Sequence, residues 1–253
     1  MIIKNVFLFV SVFLMSNFSH SQAQALIWPG GRPMAVSLSY DDALNSQLDY
    51  AIPALDAHDL KASFYILPSS PVMNDRLGEW RAAAEAGHEL GNHTVYHPCS
   101  ASLPNREWVA AHHDLDRYSV EKIVEEVATA NTFLKAIDGK IERTFTAPCG
   151  DIVVGGEKYL NKIREDFIAI KGQGAESGFS IVWSPTQVTG EQLINFIEHV
   201  PAGVSLINIV FHGVGGDYLS VSSAAHSKLL DFLVRNSEIY YVDSFINIMK
   251  YRN

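Results

Sequence analysis

The sequence predicts an α/β fold: a (β/α) barrel of about seven strand–helix units in a single domain. Three observations lead there. Short apolar runs of strand character alternate with stretches of helical periodicity through most of the chain. The 253 residues are 47% hydrophobic and 19% charged, a balance that supports one sizeable core. No repeat, low-complexity tract or linker rich in Pro, Gly or Ser divides them.

The elements follow in order. MAVSLSY (34–40) is apolar enough for a buried strand, and a helical stretch runs from about Leu44 to Ala57. ASFYIL (62–67) is the next strand, and Trp80 to Ala86 is an Ala-rich helix closed by Gly87. HELGNH (88–93) is a short strand. The strongest helix begins after Ser119, a capping residue, with Val120, Ile123, Val124, Val127, Phe133 and Leu134 recurring near the helical period. A strand ends over Arg143 to Thr146 and leads into the loop APCGD (147–151). FIAIKG (167–172) and SIVWS (180–184) are further strands, followed by a helix from about Glu191 to His199. The very apolar SLINIVF (205–211), a helix from about Ser223 to Val234 and the strand EIYYVDS (238–244) complete the series.

Residues 1–25 belong to a different category. Lys4 gives a positive start, Val6 to Met15 is almost wholly apolar, and Ala23-Gln24-Ala25 is a small-x-small cleavage site. Together they predict a signal peptide cut after Ala25 and a mature domain of residues 26–253, secreted or periplasmic. The apolar run is short for a bilayer span, and no later segment reads as transmembrane, so no membrane span is expected after cleavage. The formal net charge is −9, and loss of Lys4 makes it one unit more negative. With no basic run to act locally, this excludes binding of nucleic acid or anionic lipid by general attraction. Export also permits a disulfide between the only two cysteines, Cys99 and Cys149.

In an α/β barrel, chemistry sits on loops beyond the C-terminal ends of the strands. Polar residues directly after apolar runs should therefore converge. Asp41 and Asp42 follow the first strand, His93 and His97 follow the third, Thr146 to Asp151 follow the next, and His212 follows SLINIVF. Paired carboxylates at the mouth of a core are costly unless paired or ligating, although a single Asp there is as readily a helix cap. The spacing of His93 and His97 lets both reach one cation from a helical turn. Two surface histidines are the alternative, and His112-His113 shows that the chain has others. Two His and one Asp make a three-ligand set with open positions, as hydrolytic zinc sites require. His212, next to glycines 213, 215 and 216, is either a catalytic acid or base or a satisfied core histidine.

SYDD (39–42), HTVYHP (93–98), TAPCG (146–150) and IVFH (209–212), in this order, resemble the motifs of the polysaccharide deacetylase family, carbohydrate esterase family 4. The resemblance extends from about Met34 to Ile248. It implies a distorted (β/α) barrel with fewer than eight complete repeats. It also implies removal of acetyl groups from N-acetylglucosamine polymers such as chitin or peptidoglycan, or from O-acetylated xylan. Carried over, it makes Asp41 the general base, Asp42, His93 and His97 the metal ligands, and His212 the general acid. Thr146, Pro148 and Cys149 become the oxyanion and substrate loop, with a backbone N–H near Cys149 as donor. The implied cofactor is a divalent metal, Zn²⁺ foremost, with Co²⁺, Ni²⁺ or Mn²⁺ accepted by the same donors. The implied partner is an acetylated carbohydrate. An O-acetyl esterase and a catalytically weak glycan-binding barrel are the alternatives.

The chain also departs from the family pattern. Ala43 stands where the family has Gly after the Asp pair, which asks whether that turn needs positive φ. Thr146 stands where the third motif carries an Arg that pairs with the catalytic Asp, and loss of that cation should raise the base's pKa. Of a fourth motif only Trp183 survives. If the Cys99 and Cys149 loops share one mouth, a disulfide would pin them together; free thiols or a thiolate ligand are the other readings. Tyr40, Trp183 and Phe211, with Tyr96 and Tyr218, are candidates to line a sugar groove. The polar insertion holding His112-His113, between Pro104 and Tyr118, is either a solvated loop or the edge of the cleft.

Overall fold

The computed structural model describes residues 27–252, so the predicted signal peptide and its cleavage site lie outside the described residues. The eight principal strands are β1 (Met34–Asp41), β2 (Ser63–Ile66), β3 (Glu89–Asn92), β4 (Thr144–Phe145), β5 (Ala169–Ile170), β6 (Ser180–Trp183), β7 (Leu206–Phe211) and β8 (Tyr240–Val242). Seven of them run in parallel in the order β5-β4-β3-β2-β1-β7-β6. β7 occupies one edge of β1 along most of its length, pairing Ala35 with Leu206 and Tyr40 with Phe211. The other edge is shared: β8 pairs with the start of β1 and β2 with its end. β5 and β6 share no ladder, so the barrel is open between them.

The principal helices, leaving aside the single turn Leu160–Ile163, are α1 (Ile52–Ala57), α2 (Pro71–Glu85), α3 (Val120–Asp138), α4 (Gly190–Glu198), α5 (Ser223–Arg235) and α6 (Phe245–Arg252). α3 begins where its cap predicts, with Ser119 Oγ accepting the Lys122 N–H, and ends at Gly139 in the left-handed region. α4 carries a full capping box between Thr189 and Gln192. Three boundaries differ from expectation. The stretch before α1 is a π-helical turn, Gln47–Ala51, where simple helix was expected. α2 starts nine residues before Trp80, because Pro71 opens it at the first helical position. The C-terminal α6 was not expected at all.

Strand parity decides what reaches the centre. Val36, Leu38 and Tyr40 of β1 and Ile207, Ile209 and Phe211 of β7 all join the main apolar cluster, which packs against the helices. Their alternates, Ser37, Ser39 and Asp41 on β1 and Asn208 and Val210 on β7, face the barrel interior. A second apolar cluster under α3, including Ile123, Val127, Phe145 and Tyr159, supports the loops beyond β3 and β4.

Candidate metal centre and active site

β1 ends at Asp41, and the chain then turns through two left-handed residues, Asp42 at φ 80° and Ala43 at φ 53°. The turn therefore does require positive φ where this chain carries Ala in place of Gly. It also lets two successive carboxylates, which a continuing strand would send to opposite faces, approach one centre. Gln47 holds the turn in place. Its buried amide donates to the Asp41 carbonyl at 2.5 Å and to the His212 carbonyl at 3.1 Å, tying the ends of β1 and β7 together.

The segment from His93 to His97 is not the expected helical turn. Thr94 (φ 64°) and His97 (φ 53°) are both left-handed, and Pro98 disfavours helix at the residue before it. The loop is held from below. Asn92 Oδ1 accepts the Thr94 N–H at 2.8 Å. Glu126 of α3 is buried, and its Oε1 accepts the N–H groups of Val95 and Tyr96 at 3.1 and 2.8 Å. The two imidazoles still meet, with ring centroids 4.9 Å apart.

Asp42, His93 and His97 converge. Asp42 Oδ1 lies 3.4 Å from His93 Nε2 and 3.3 Å from His97 Nε2, and is buried without a hydrogen bond of its own. One ligand atom from each of the three falls within 4.8 Å of the others. The tautomer of His93 is fixed from behind. Its Nδ1–H donates to the Thr146 carbonyl at 2.9 Å, with Thr146 Oγ1 2.7 Å away, which leaves Nε2 as the nitrogen facing Asp42. Tyr218 O–H donates to Asp42 Oδ2 at 2.9 Å. An orphaned buried carboxylate oxygen, two ring nitrogens aimed at it and fixed outer partners fit a divalent cation.

The electrostatics agree. Burial opposes charge on Asp42, but His93 and the neighbouring histidines outweigh it and hold the carboxyl well below the usual range. Burial likewise opposes charge on His93, yet Asp41 and Asp42 lift its pKa to about 9, so without a cation the ring is an imidazolium between the two carboxylates, and a cation would bind by displacing its Nε2 proton. Burial, with charge on His93, drops His97 to about 4, so it is neutral and ready to ligate near neutral pH. Burial pushes the pKa of Asp41 up, against the pull of His93 and His212.

Asp41 and His212 flank this cluster. Asp41 Oδ2 lies 3.8 Å from His93 Nε2, and its Oδ1 is buried without a partner. His212 Nε2 lies 3.8 Å from Asp42 Oδ2. Both face a cavity of about 940 Å³ that also reaches Thr146 and Cys149. Cys99 and Cys149 are joined in a disulfide, with Cα atoms 5.9 Å apart. The bond links the histidine loop to the loop after β4, and Cys99 Sγ lies 3.4 Å from His97 Nδ1. Pro148 is buried and opens the turn without facing the cavity.

The aromatic candidates need correction. Tyr40 and Phe211 are fully buried and stack on each other at 5.4 Å, and Tyr40 O–H contacts His226 Nε2 at 2.6 Å. Trp183 packs on Phe196 at 4.4 Å, while its neighbours Val182 and Ser184 line the cavity. All three sit at the wrong strand parity for the groove. The aromatics in the cavity wall are Tyr218 and Trp108, the latter from the polar insertion, which thus forms a cleft edge. Tyr96 is exposed and stacks on His113 at 5.2 Å outside the wall. Asp217, beside Tyr218, accepts the Ser46 N–H at 2.7 Å. Arg143 is buried in an ion pair with Asp138, away from the cavity. Sequence reasoning missed Gln47, Glu126, Trp108 and Lys171. Lys171 directly follows the apolar FIAI, the same signal that found the other site residues.

Residues 30–164, more than half of the chain, match the family model for polysaccharide deacetylases, and the chain belongs to that family. A stretch of 131 residues, 52% of this chain, is 27% identical to a gellan lyase of a Bacillus species, where it spans 5% of the length. Among solved structures, the Xyl-CE4 domain of a multidomain xylanase from the hindgut metagenome of Trinervitermes trinervoides superposes with a TM-score of 0.59 at 15% identity, over 87% of this chain and 91% of that one. The Bc1960 peptidoglycan N-acetylglucosamine deacetylase gives 0.58 at 19% identity, over 85% and 88%. A mutant of BA3943, a CE4 family pseudoenzyme with restored enzymatic activity, gives 0.57 at 18% identity, over 85% and 67%. These likenesses establish the shared barrel fold.

Proposed function

We propose that this protein is an exported, metal-dependent deacetylase of an acetylated carbohydrate, with an N-acetylglucosamine oligosaccharide or polysaccharide as substrate. One observation carries the reading: Asp42 Oδ1, His93 Nε2 and His97 Nε2 meet at one point, with Asp41 and His212 beside them facing the same cavity. A weak glycan-binding barrel has no use for a three-donor set flanked by an acid and a base.

Asp42, His93 and His97 would hold the cation, zinc by its preference for imidazole and carboxylate donors. Such a cation supplies a Lewis acid that polarises the acetyl carbonyl and makes water a nucleophile at neutral pH. Asp41 takes the proton of the attacking water; its buried, unpartnered Oδ1 is free to do so. His212 returns a proton to the departing amine or alcohol. Its Nδ1 is buried without a partner, so the ring is not committed to a structural hydrogen bond. The signal-like residues 1–25 and the disulfide suit a protein acting outside the cytoplasm.

The test is acetate release by zinc-loaded mature protein from chitooligosaccharides, peptidoglycan fragments, acetylated xylan and an aryl acetate. Release from the N-acetylglucosamine substrates, falling by at least about 10²-fold in Asp41→Asn, is expected. Release from acetylated xylan alone would replace this substrate with an O-acetyl ester, and release from none would overturn the reading.

A further inference from the structure

Among the described residues, Lys171 is the one buried basic side chain in the cavity wall that the proposed chemistry leaves unused. It follows β5 directly, at the open seam of the barrel, and lies 8% exposed. A buried ammonium is costly unless something nearby needs it. Its direct partners are neutral: Ser39 Oγ, Ser37 Oγ at 3.1 Å and Asn208 Oδ1 at 3.5 Å. The ring of Phe245 lies 4.3 Å away and that of Tyr65 5.3 Å. Among the described residues it makes no ion pair within 4.0 Å, and burial lowers its pKa to about 8 against the pull of Asp41, Glu176 and Glu89.

The arrangement has a direction. Ser37, Ser39 and Asp41 are alternate residues of β1, so they share its inner face. The ammonium is anchored on the first two, and the third is the carboxylate assigned as general base. On the far side, Asn208 passes its amide to Glu176 Oε1 at 2.6 Å, so the lysine sits between two buried acids.

We propose that Lys171 is a positioning residue for Asp41: an ammonium, hung on the Ser37–Ser39 ladder from β5, that stands on the same inner face of β1 as the carboxylate. The inference rests on the deacetylase reading for its kinetic consequence, but not for the Lys171–Asp41 coupling itself. It predicts that the two residues interact in the metal-free protein, and that loss of the charge slows the chemical step without weakening substrate or zinc binding.

The experiment combines a thermal cycle with kinetics. Unfolding midpoints are measured on chelator-stripped wild type, Lys171→Met, Asp41→Asn and the double variant. Non-additivity of about 2–4 °C is expected. With zinc and an acetylated substrate, Lys171→Met should lose about tenfold in kcat with KM and zinc affinity nearly unchanged, and Lys171→Arg should recover most of that loss. Lys171→Gln takes the place of Lys171→Met throughout if the latter does not fold. Additive midpoints overturn the coupling. A kcat that is unchanged, or that falls together with zinc affinity, overturns the positioning role. If the wild type releases no acetate at all, the functional reading fails and the thermal cycle alone decides the Lys171–Asp41 pairing.

Discussion

At the scale of single residues, the site depends on side chains that hold the ligands as well as on the ligands themselves. Tyr218 is half exposed, yet its hydroxyl fixes Asp42 Oδ2. Tyr218→Phe should therefore weaken zinc binding about tenfold while leaving the unfolding midpoint nearly unchanged, as titration calorimetry would show. Asp41, Asp42, His93 and His212 were legible because each stands at or just past the end of a strand-like run, and His97 because it stands four residues after His93. Tyr40, Phe211 and Trp183 were misread because type alone was weighed. Their parity was also in the sequence: Tyr40 stands between Ser39 and Asp41, and Phe211 between Val210 and His212. If the latter residues of each trio face the centre, the aromatic between them cannot. Lys171 was overlooked although it satisfies the rule that found the others.

At the scale of elements, the histidine loop has little regular backbone and is braced from two sides. Glu126 stands on the buried face of α3 with Ile123, Val127 and Ala130, and spends its carboxylate on two loop N–H groups. Glu126→Ala should cost about 1–3 kcal/mol of stability and weaken zinc binding, whereas Glu126→Gln, which keeps an acceptor, should cost less. Denaturant unfolding and zinc titration on both variants check this. The disulfide is the other brace. It closes a loop across 50 positions of sequence, and Cys99→Ala with Cys149→Ala should lower stability by about 4 kcal/mol. Equal stability of this double variant would show that the bond contributes nothing to the fold. The sequence made the pairing plausible only through the shared mouth. It did not reveal the loop's left-handed turns, because spacing of four residues is the same in a helix and in a loop that folds back on itself.

At the scale of the whole molecule, the α/β barrel class was legible from the alternation of apolar runs and periodic stretches. The gap between β5 and β6 was not, because it depends on strand length and on which edges fail to pair. The C-terminal α6 was missed because it is only eight residues long and Ser244, directly before it, falls at the end of the strand expected over 238–244. The core also contains a titratable joint. His226 of α5 is buried against Tyr40 of β1, and burial lowers its pKa to about 4. Tyr40 keeps its proton, because burial pushes its pKa well up, so its hydroxyl donates to neutral His226. The unfolded chain takes up this proton near the ordinary histidine value of about 6.5, the folded one only near 4. Between those values the unfolded state binds more protons, so stability should fall as pH drops from about 6.5 toward 4, by about 2–3 kcal/mol from this group. His226→Gln, which keeps an acceptor for Tyr40, should flatten that part of the curve.

The most direct test of the central claim, that Asp42, His93 and His97 hold the cation on which the chemistry depends, is acetate release before and after metal removal. Chelator-stripped protein should release no acetate, and equimolar zinc should restore release in the wild type but not in Asp42→Ala. Undiminished release from the stripped protein, or restoration by zinc in Asp42→Ala, would contradict the account.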